Sequence, residues 1–304
     1  MSRLVRHRPI RLALLGASTG AAFALFLTQA HPGRLAASLA ALPAGSLLTA
    51  VAATMAGVML GAVRWRTLLG AGGVPAPAAR LFAALTIGSA VNNIVPARGG
   101  DAVRVESARQ LTGAPVLAIA GTMISERILD GFVLALLVLG GALLAGVGGT
   151  LVWVGAALAG AIVLGAPLLG RLLRGRLAGL QPGFAVFRLP RSAVPALAAT
   201  AGIWFADVVM YAALARGFRL DVSFAGILLL VGVGNLALAV PGAAAGLGSF
   251  ELVTLAGAHG IGVGGASLAA FVLAIHAVIV LPPTLTGLVL ARVALPKAFR
   301  LRAA

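Results

Sequence analysis

Three long stretches of the chain contain no Asp, Glu, Lys or Arg, and they limit what the chain can fold into. They lie between Arg34 and Arg64, between Asp130 and Arg171, and between Glu251 and Arg292. A helix that crosses the hydrocarbon core of a bilayer needs about 20 apolar residues. Because 61% of the 304 residues are hydrophobic and only 10% are charged, soluble enzymes, disordered tails and coiled coils are excluded. The sequence predicts an all-α, polytopic integral membrane helix bundle.

We predict seven membrane spans and two apolar pieces too short to cross alone, which we interpret as half-helices or re-entrant segments. The spans are 12–28, 46–63, 126–146, 151–168, 193–214, 222–240 and 266–291, and the short pieces are 81–96 and 114–125. The piece from Pro241 to Ala258 is ambiguous between a re-entrant segment and a short span, so about seven to nine helices are expected. All of 1–304 is expected to form a single transmembrane domain.

The net charge of +16 is distributed in a way that argues against nucleic acid as a partner. Positive residues gather in short segments between the spans. These are the N-terminus 1–11, the group Arg64, Arg66 and Arg80 after the second span, the group from Arg171 to Arg191, and the tail 292–304. This positive-inside pattern predicts that both termini are cytoplasmic, in a bacterial-type inner membrane.

We expect no cofactor, no metal site and no catalytic residue. The sequence has no Cys, and its four histidines are scattered without metal-ligand spacing. No nucleotide-binding motif is present. A cleavable signal peptide is not expected either, because the apolar run after the basic start lacks a convincing cleavage site.

Charges are balanced in one region, 88–131, which makes this region the first candidate site. Ionisable groups at membrane depth are costly unless they pair or line a wet cavity. Its acids are Asp101, Glu106, Glu126 and Asp130, and its bases are Arg98, Arg104, Arg109 and Arg127. The alternative is a cytoplasmic loop held by surface ion pairs.

Local sequence predicts how this region folds. The run from Asn92 and Asn93 to Pro96 is expected to end a half-helix, since proline disfavours helical geometry in the residue before it. Gly99 and Gly100 then supply a turn. Asp101 is expected to cap a helix that carries Arg104 and Glu106.

Glu126, Arg127 and Asp130 are expected to open the next span. Glu126 and Asp130 share one helix face, and Arg127 is close enough in sequence to pair with Asp130. Such a face can hold a headgroup ammonium on its carboxylates, while Arg104 or Arg127 takes the phosphate. A helix-end cluster at the cytoplasmic interface is the alternative.

A second interrupted segment mirrors the first. In both segments Val-Pro follows an apolar run that contains Asn, which is Asn235 in the second segment. Glycines come next, Gly246 and Gly248 among them in the second segment. An acid lies ten residues after each proline, Glu106 in the first segment and Glu251 in the second. Paired interruptions indicate a transporter built from internal repeats, and a chance match is the alternative. Glu251 is isolated in uncharged sequence and is the strongest single candidate. Asp207 is the second isolated carboxylate and is expected to pair with an arginine of another helix.

A set of motifs, taken in the order in which they occur along the chain, resembles the lysylphosphatidylglycerol synthase transmembrane region, also described as a flippase-like family. They are Asn92-Asn93-Ile94-Val95-Pro96, Arg98-Gly99-Gly100-Asp101 with Arg104, Glu126-Arg127, and Pro241 with Gly246-Leu247-Gly248 and Glu251, and Arg64-Trp65-Arg66 fits as well. The resemblance covers roughly residues 10–295. It implies a lipid-handling domain, which in the full synthases moves aminoacylated phosphatidylglycerol between leaflets. The chain has no room for the soluble transferase domain, so lysyl transfer is not implied.

We therefore expect a non-enzymatic membrane protein that binds, and translocates, an anionic phospholipid or a polyprenyl-linked lipid. The candidate substrate-binding residues are Asn92, Asn93, Pro96, Gly99, Gly100, Asp101, Arg104, Glu126, Arg127, Asp130, Pro241, Gly246, Gly248 and Glu251. Two alternatives stay open. One is an intramembrane partner or regulator of a separate lipid-modifying or glycosyl-transferring enzyme, and the other is an intramembrane enzyme that uses, for example, Ser249 and His276.

Overall fold

The computed structural model of the protein describes residues 20–28, 32–94, 99–147, 149–173, 175–239 and 246–294. In these ranges the chain forms helices and no strands. After a helical stretch at 20–28, the helices are α1 (Pro32–Ala40), α2 (Ala44–Ala71), α3 (Ala78–Ile94), α4 (Gly99–Thr112), α5 (Val116–Ala145), α6 (Gly149–Leu172), α7 (Pro190–Gly217), α8 (Phe224–Ala239), α9 (Ser249–Gly260) and α10 (Leu268–Ala294). A run of 3-10 turns, Gly175–Arg188, joins α6 to α7 and is called the 3-10 segment.

Five helices are long and apolar enough to cross a membrane, namely α2, α5, α6, α7 and α10. The predicted all-α, polytopic bundle is therefore confirmed. Of the predicted spans, 46–63, 193–214 and 151–168 lie inside α2, α7 and α6, and 266–291 begins two residues before α10 and otherwise lies inside it. The predicted first span, 12–28, falls within the described ranges only from residue 20.

Two boundary predictions are wrong at α5. The piece 114–125 is not a half-helix, and the span does not begin at residue 126, because α5 is one helix of 30 residues. Glu126, Arg127 and Asp130 therefore lie in the middle of α5 instead of opening it. The charges at this point lower the local hydropathy, but they do not break the helix, because Glu126 and Asp130 are paired with arginines of other helices.

The helices α3 and α4 form a helical hairpin, which we call hairpin 1. They pack against each other, and at the open end the Arg80 guanidinium donates a hydrogen bond to the Leu111 carbonyl over 2.8 Å. With 17 residues, α3 is about 26 Å long, which is shorter than the roughly 30 Å hydrocarbon core. The described part of the piece predicted at 81–96 lies within α3, and its re-entrant course in the membrane stays a prediction. The tip, 95–98, lies outside the described residues.

Hairpin 2 is formed by α8 and α9, which also pack against each other. The described part of the span predicted at 222–240 forms α8, whose 16 residues are fewer than the roughly 20 of a full crossing. In the ambiguous piece α9 has 12 residues, a length that favours a re-entrant segment. The tip of this hairpin, 240–245, again lies outside the described residues.

The two hairpins enter the bundle from opposite faces. At one face, which we call the 3-10 face, Gly72 at the end of α2 lies against Pro182 of the 3-10 segment, and hairpin 1 follows α2 directly. At the distal face, Gly217 at the end of α7 lies against Ser46 at the start of α2, and hairpin 2 follows α7. Opposite insertion is the arrangement expected of inverted repeats, although the internal repeat itself stays a prediction.

Hairpin 1 is held close to its neighbours by glycines. A Cβ on Gly100 of α4 would collide with the Gly88 carbonyl of α3, and a Cβ on Gly287 of α10 would collide with the Thr86 carbonyl of α3. Small residues let backbones approach closely where helices cannot rely on a hydrophobic driving force between them.

We expect Gly287→Ala to lower the free energy of unfolding by about 1–3 kcal/mol, because the new methyl group forces α3 and α10 apart. The measurement is a denaturant titration in detergent micelles. Gly160→Ala in α6 is the matched control, since nothing lies within 4 Å of a Cβ at that position. Equal stability of the two variants would contradict the close contact.

The opposite insertion of the hairpins can be tested by thiol labelling, because the chain has no cysteine. Pro75 precedes hairpin 1, Asp221 precedes hairpin 2, and both are exposed. In sealed vesicles with the protein in a single orientation, an impermeant maleimide should label only one of Pro75→Cys and Asp221→Cys from outside. It should label both after the vesicles are opened with detergent. Labelling of both variants from one side would exclude this topology.

Candidate functional site

A buried arginine, Arg64, connects α2 to two acidic residues of α5. Its Nη1 lies 2.5 Å from Asp130 Oδ1, its Nη2 lies 3.4 Å from Asp130 Oδ2, and its Nε lies 3.8 Å from Glu126 Oε1. Only 8% of its side chain is exposed. The hydroxyl of Thr200 on α7 also contacts Nη1, at 3.4 Å. The two-point contact with Asp130 is the strong, oriented kind of arginine–carboxylate pair.

Arg104 joins hairpin 1 to the same network. Its Nη2 lies 2.6 Å from Glu126 Oε2, and its guanidinium carbon lies 4.0 Å from the centre of the Trp65 ring. The Trp65 indole N–H in turn donates to the Thr122 hydroxyl of α5 over 2.8 Å. Ion pair, cation–π contact and hydrogen bond together fix α4, α2 and α5 relative to one another.

Two predicted roles change with this network. Asp130 pairs with Arg64 and not, as expected, with Arg127 of its own helix. Arg127 is exposed on a different face of α5. Arg104 is paired with Glu126, so its predicted role as a phosphate ligand is not supported by a free guanidinium. Arg64 was placed after a span by the positive-inside interpretation. Arg64 lies within α2, since that helix continues to Ala71.

Near its tip, hairpin 1 is held by asparagine side chains. Asn92 Nδ2 donates to Asp101 Oδ1 over 3.0 Å, which links α3 to α4. Asn93 Nδ2 donates to the Thr284 hydroxyl of α10 over 2.8 Å. Asp101 is the third described residue of α4, which begins at Gly99, so it lies inside the first turn and is not the N-cap. The predicted site residue Pro96 lies outside the described residues.

A cavity of about 320 Å³ opens where hairpin 1 meets α2, α7 and α10. Its polar lining residues are Arg64, Ser89, Asn92, Asn93 and Asp207, and Thr54 also lines it. Pro282 and Pro283 interrupt the hydrogen-bond pattern of α10 here. Because proline has no N–H, the carbonyls four residues earlier lose their helical donors, which adds acceptors near this cavity. Polar groups of four elements thus converge inside the bundle.

Glu251, the strongest candidate from the sequence, is completely buried in hairpin 2. One carboxylate oxygen lies 2.5 Å from His276 Nδ1 of α10, and the other accepts the Gly248 N–H over 2.7 Å. Glu251 therefore caps the start of α9 and attaches hairpin 2 to α10. Its partner is a histidine and not the cationic headgroup or arginine that was expected.

The sequence parallel between the hairpins also needs one correction. Glu106, the expected counterpart of Glu251, is partly exposed and pairs with Arg109 on its own helix over 2.6 Å. Hydrogen bonds from Arg109 and Gln110 lower the pKa of Glu106 to about 2. The position that matches Glu251 is Asp101, because each is the third residue in the second arm of its hairpin.

The remaining candidates are glycines and a proline around the hairpin tips. Gly99 begins α4, and Gly100 lies in the close contact with α3. Gly246 and Gly248 have φ angles of 74° and 85°, a backbone conformation that favours glycine. They shape the turn into α9. Pro241 lies outside the described residues.

The proposed Ser249 and His276 pair does not form in the described part of the chain. The Ser249 hydroxyl donates to the Gly246 carbonyl over 2.9 Å, and His276 is bound to Glu251. Asp207 also departs from expectation, since its hydrogen-bond partner is the Asn235 amide, at 3.5 Å, and not an arginine.

We expect Arg64→Gln to lower the free energy of unfolding by about 3–5 kcal/mol, because it leaves buried Asp130 and Glu126 short of one positive charge. Denaturant titration in detergent measures this effect. Arg109→Gln is the control, since it removes the cation of an exposed pair, and its titration midpoint should match that of the wild type. Equal midpoints for the two variants would show that the Arg64 network contributes no stability.

Comparison with known proteins identifies the family of the chain. The family model described as the lysylphosphatidylglycerol synthase TM region matches residues 10–287. No match was found among curated proteins. The matched range contains both hairpins, the Arg64 network and the Glu251–His276 pair. The chain therefore belongs to the lysylphosphatidylglycerol synthase transmembrane-region family.

Proposed function

We propose that the protein binds the polar headgroup of a membrane lipid in the cavity beside hairpin 1 and moves the lipid between the two leaflets. The observation that carries the proposal is the cavity itself. It lies among membrane-spanning helices and is lined by Arg64, two asparagines and Asp207. Ionisable and polar groups that face the interior of a membrane protein are typical of substrate pathways.

The size and chemistry of the cavity favour a phosphate-containing headgroup. A volume of about 320 Å³ suits a small polar ligand, so the acyl chains are expected to stay in the bilayer. Arg64 Nε is buried and has no acceptor within hydrogen-bond distance. The amide of Asn93 is engaged by the Thr284 hydroxyl and the Val280 carbonyl, but Asn92 uses only one of its two N–H groups, on Asp101. The spare N–H groups of Arg64 and Asn92 are donors of the kind that phosphate oxygens require. The family is named for synthases of a phospholipid, which supports the same class of ligand.

The hairpins suggest how such a headgroup passes between the leaflets. Half-helices that end inside the membrane are common at the substrate sites of transporters, and alternating access arises when one half of the protein moves against the other. Hairpin 1 enters from the 3-10 face and hairpin 2 from the distal face. The 3-10 face carries Arg171, Arg188 and Arg191, so we assign it to the cytoplasm of a bacterial-type cell.

No chemical step on the lipid is part of the proposal. The described residues contain no group of three His, Cys, Asp or Glu side chains that could hold a metal ion. The imagined serine–histidine pair is not assembled. We propose movement of the lipid and not its modification, with a separate lipid-modifying enzyme as a candidate partner.

We expect Gly61→Leu and Ser89→Leu to abolish lipid movement, because both positions line the cavity and a leucine there fills it. The protein is reconstituted into vesicles that contain a trace of fluorescent phosphatidylglycerol, in a buffer with NaCl. Dithionite then bleaches the probe in the outer leaflet only. Wild type should expose the probe of the inner leaflet as well, and both variants should behave like vesicles without protein.

Gly160→Leu is the matched control, because a side chain at that position of α6 meets open space. Its bleaching rate should equal that of the wild type. A fluorescent phosphatidylcholine tests the headgroup, and we expect slower movement than for the anionic probe. Wild-type movement of phosphatidylglycerol in Gly61→Leu would show that the cavity is not the path.

A further inference from the structure

Asp207 is a carboxylate inside the bundle without a counter-ion among the residues that the structure describes. It lies in the middle of α7 and lines the cavity. Its hydrogen-bond partner is the neutral amide of Asn235 on α8, at 3.5 Å. The nearest charged residues do not neutralise Asp207. Arg64 is paired with Asp130, and Asp130 is itself negative and repels the Asp207 carboxylate. A negative charge at membrane depth needs a positive partner.

Two buried hydroxyl groups meet where α7 packs against hairpin 2. Tyr211, one helical turn after Asp207 on α7, and Thr254 of α9 are both completely buried. Neither hydroxyl has a hydrogen-bond partner in the described structure. Both approach Gly234, the neighbour of Asn235, since a Cβ on Gly234 would lie 2.9 Å from Thr254 Oγ1 and 3.0 Å from the Tyr211 hydroxyl. Buried polar groups left without partners are rare and point to a ligand.

We propose that Asp207, Asn235, Tyr211 and Thr254 form a site for a monovalent cation such as Na⁺, at the junction of α7 with hairpin 2. The ligands are a carboxylate oxygen of Asp207, the side-chain carbonyl of Asn235 and the two hydroxyl oxygens. Asn235 Nδ2 donates to the Val231 carbonyl over 3.0 Å and faces Asp207 Oδ2 at 3.5 Å, so cation binding requires the Asn235 amide to turn its Oδ1 toward Asp207. Hard cations take oxygen ligands of this kind.

The charge and position of the ligands favour a monovalent ion. One carboxylate among neutral oxygens balances a single positive charge and no more. Asn235 lies about one turn before Ala239, where α8 ends. The C-terminal end of a helix carries a partial negative charge, and half-helix ends of this type coordinate Na⁺ in transporters. A proton on Asp207 would neutralise the carboxylate but would leave the two hydroxyls without partners.

The experiment measures thermal unfolding of the detergent-solubilised protein in NaCl and in choline chloride, at the same ionic strength and pH. A cation that binds only the folded state raises the unfolding temperature. For the wild type we expect a rise of roughly 2–4 °C in NaCl at about ten times the dissociation constant. Asp207→Asn should lose this rise. Asp221→Asn, the same change at an exposed position, should keep it.

Further variants keep the test informative if Asp207→Asn does not fold. Tyr211→Phe and Thr254→Val each remove one hydroxyl, so each should shift the Na⁺ dependence to higher concentration. Gly234→Ala should do the same by crowding both hydroxyls. A wild-type unfolding temperature that is equal in NaCl and choline chloride would overturn the proposal, as would a stabilisation by Na⁺ that Asp207→Asn retains.

This site does not depend on the lipid function. The unfolding measurement contains no lipid gradient and no transport step. If Na⁺ does not stabilise the protein, the proposed headgroup cavity is not contradicted. If lipid movement is not observed in the presence of NaCl, the proposed cation site is not contradicted.

Discussion

Arg64 is the residue on which the arrangement of the bundle depends. A guanidinium in the interior of a membrane protein must be paired, and the partners of Arg64 lie on α5. Glu126 is shared with Arg104, so the same charge balance attaches hairpin 1 to the two spanning helices. Loss of one member leaves a buried charge without a partner. This lowers the stability more than replacing all members by apolar residues would. The network therefore fixes one wall of the cavity and also the position of the hairpin that closes it.

A second constraint is that broken helices leave backbone and side-chain polar groups to be satisfied inside the bundle. The two hairpins meet it in related ways. Each carries an acid at the third residue of its second arm, Asp101 or Glu251. Asp101 binds an asparagine of its own hairpin, whereas Glu251 binds the first turn of α9 and a histidine of α10. Asn93 attaches hairpin 1 to α10 as well. Both hairpins are thus anchored to the last spanning helix.

Sequence alone located most spans, since charge-free length measures the hydrocarbon core directly. It also predicted interruptions at the two Val-Pro sequences, which lie outside the described residues between the arms of the two hairpins. The prediction from sequence failed where an ion pair between residues far apart in the chain determines the structure. Glu126 was taken as the start of a span because its charge lowers local hydropathy, and only the arginines of α2 and α4 explain why α5 continues through it. Arg64 was assigned to topology for the same reason. The sequence feature that could have pointed to a buried Arg64 is its position directly after a long charge-free run, with Trp65 beside it. An arginine at a helix end shows the same pattern as an arginine with a buried partner.

The cation site and the headgroup cavity are connected through charge. Arg64 and Asp207 line one cavity, so an anionic headgroup near Arg64 is repelled by a bare carboxylate at Asp207. A cation bound between α7 and hairpin 2 removes that repulsion and strengthens the attraction of the cavity for phosphate. Because coupling between two binding equilibria is reciprocal, a bound headgroup then tightens the cation to the same degree. In the proposed arrangement both ligands are taken up together, and we expect a gradient of the cation to give direction to the proposed movement of the lipid.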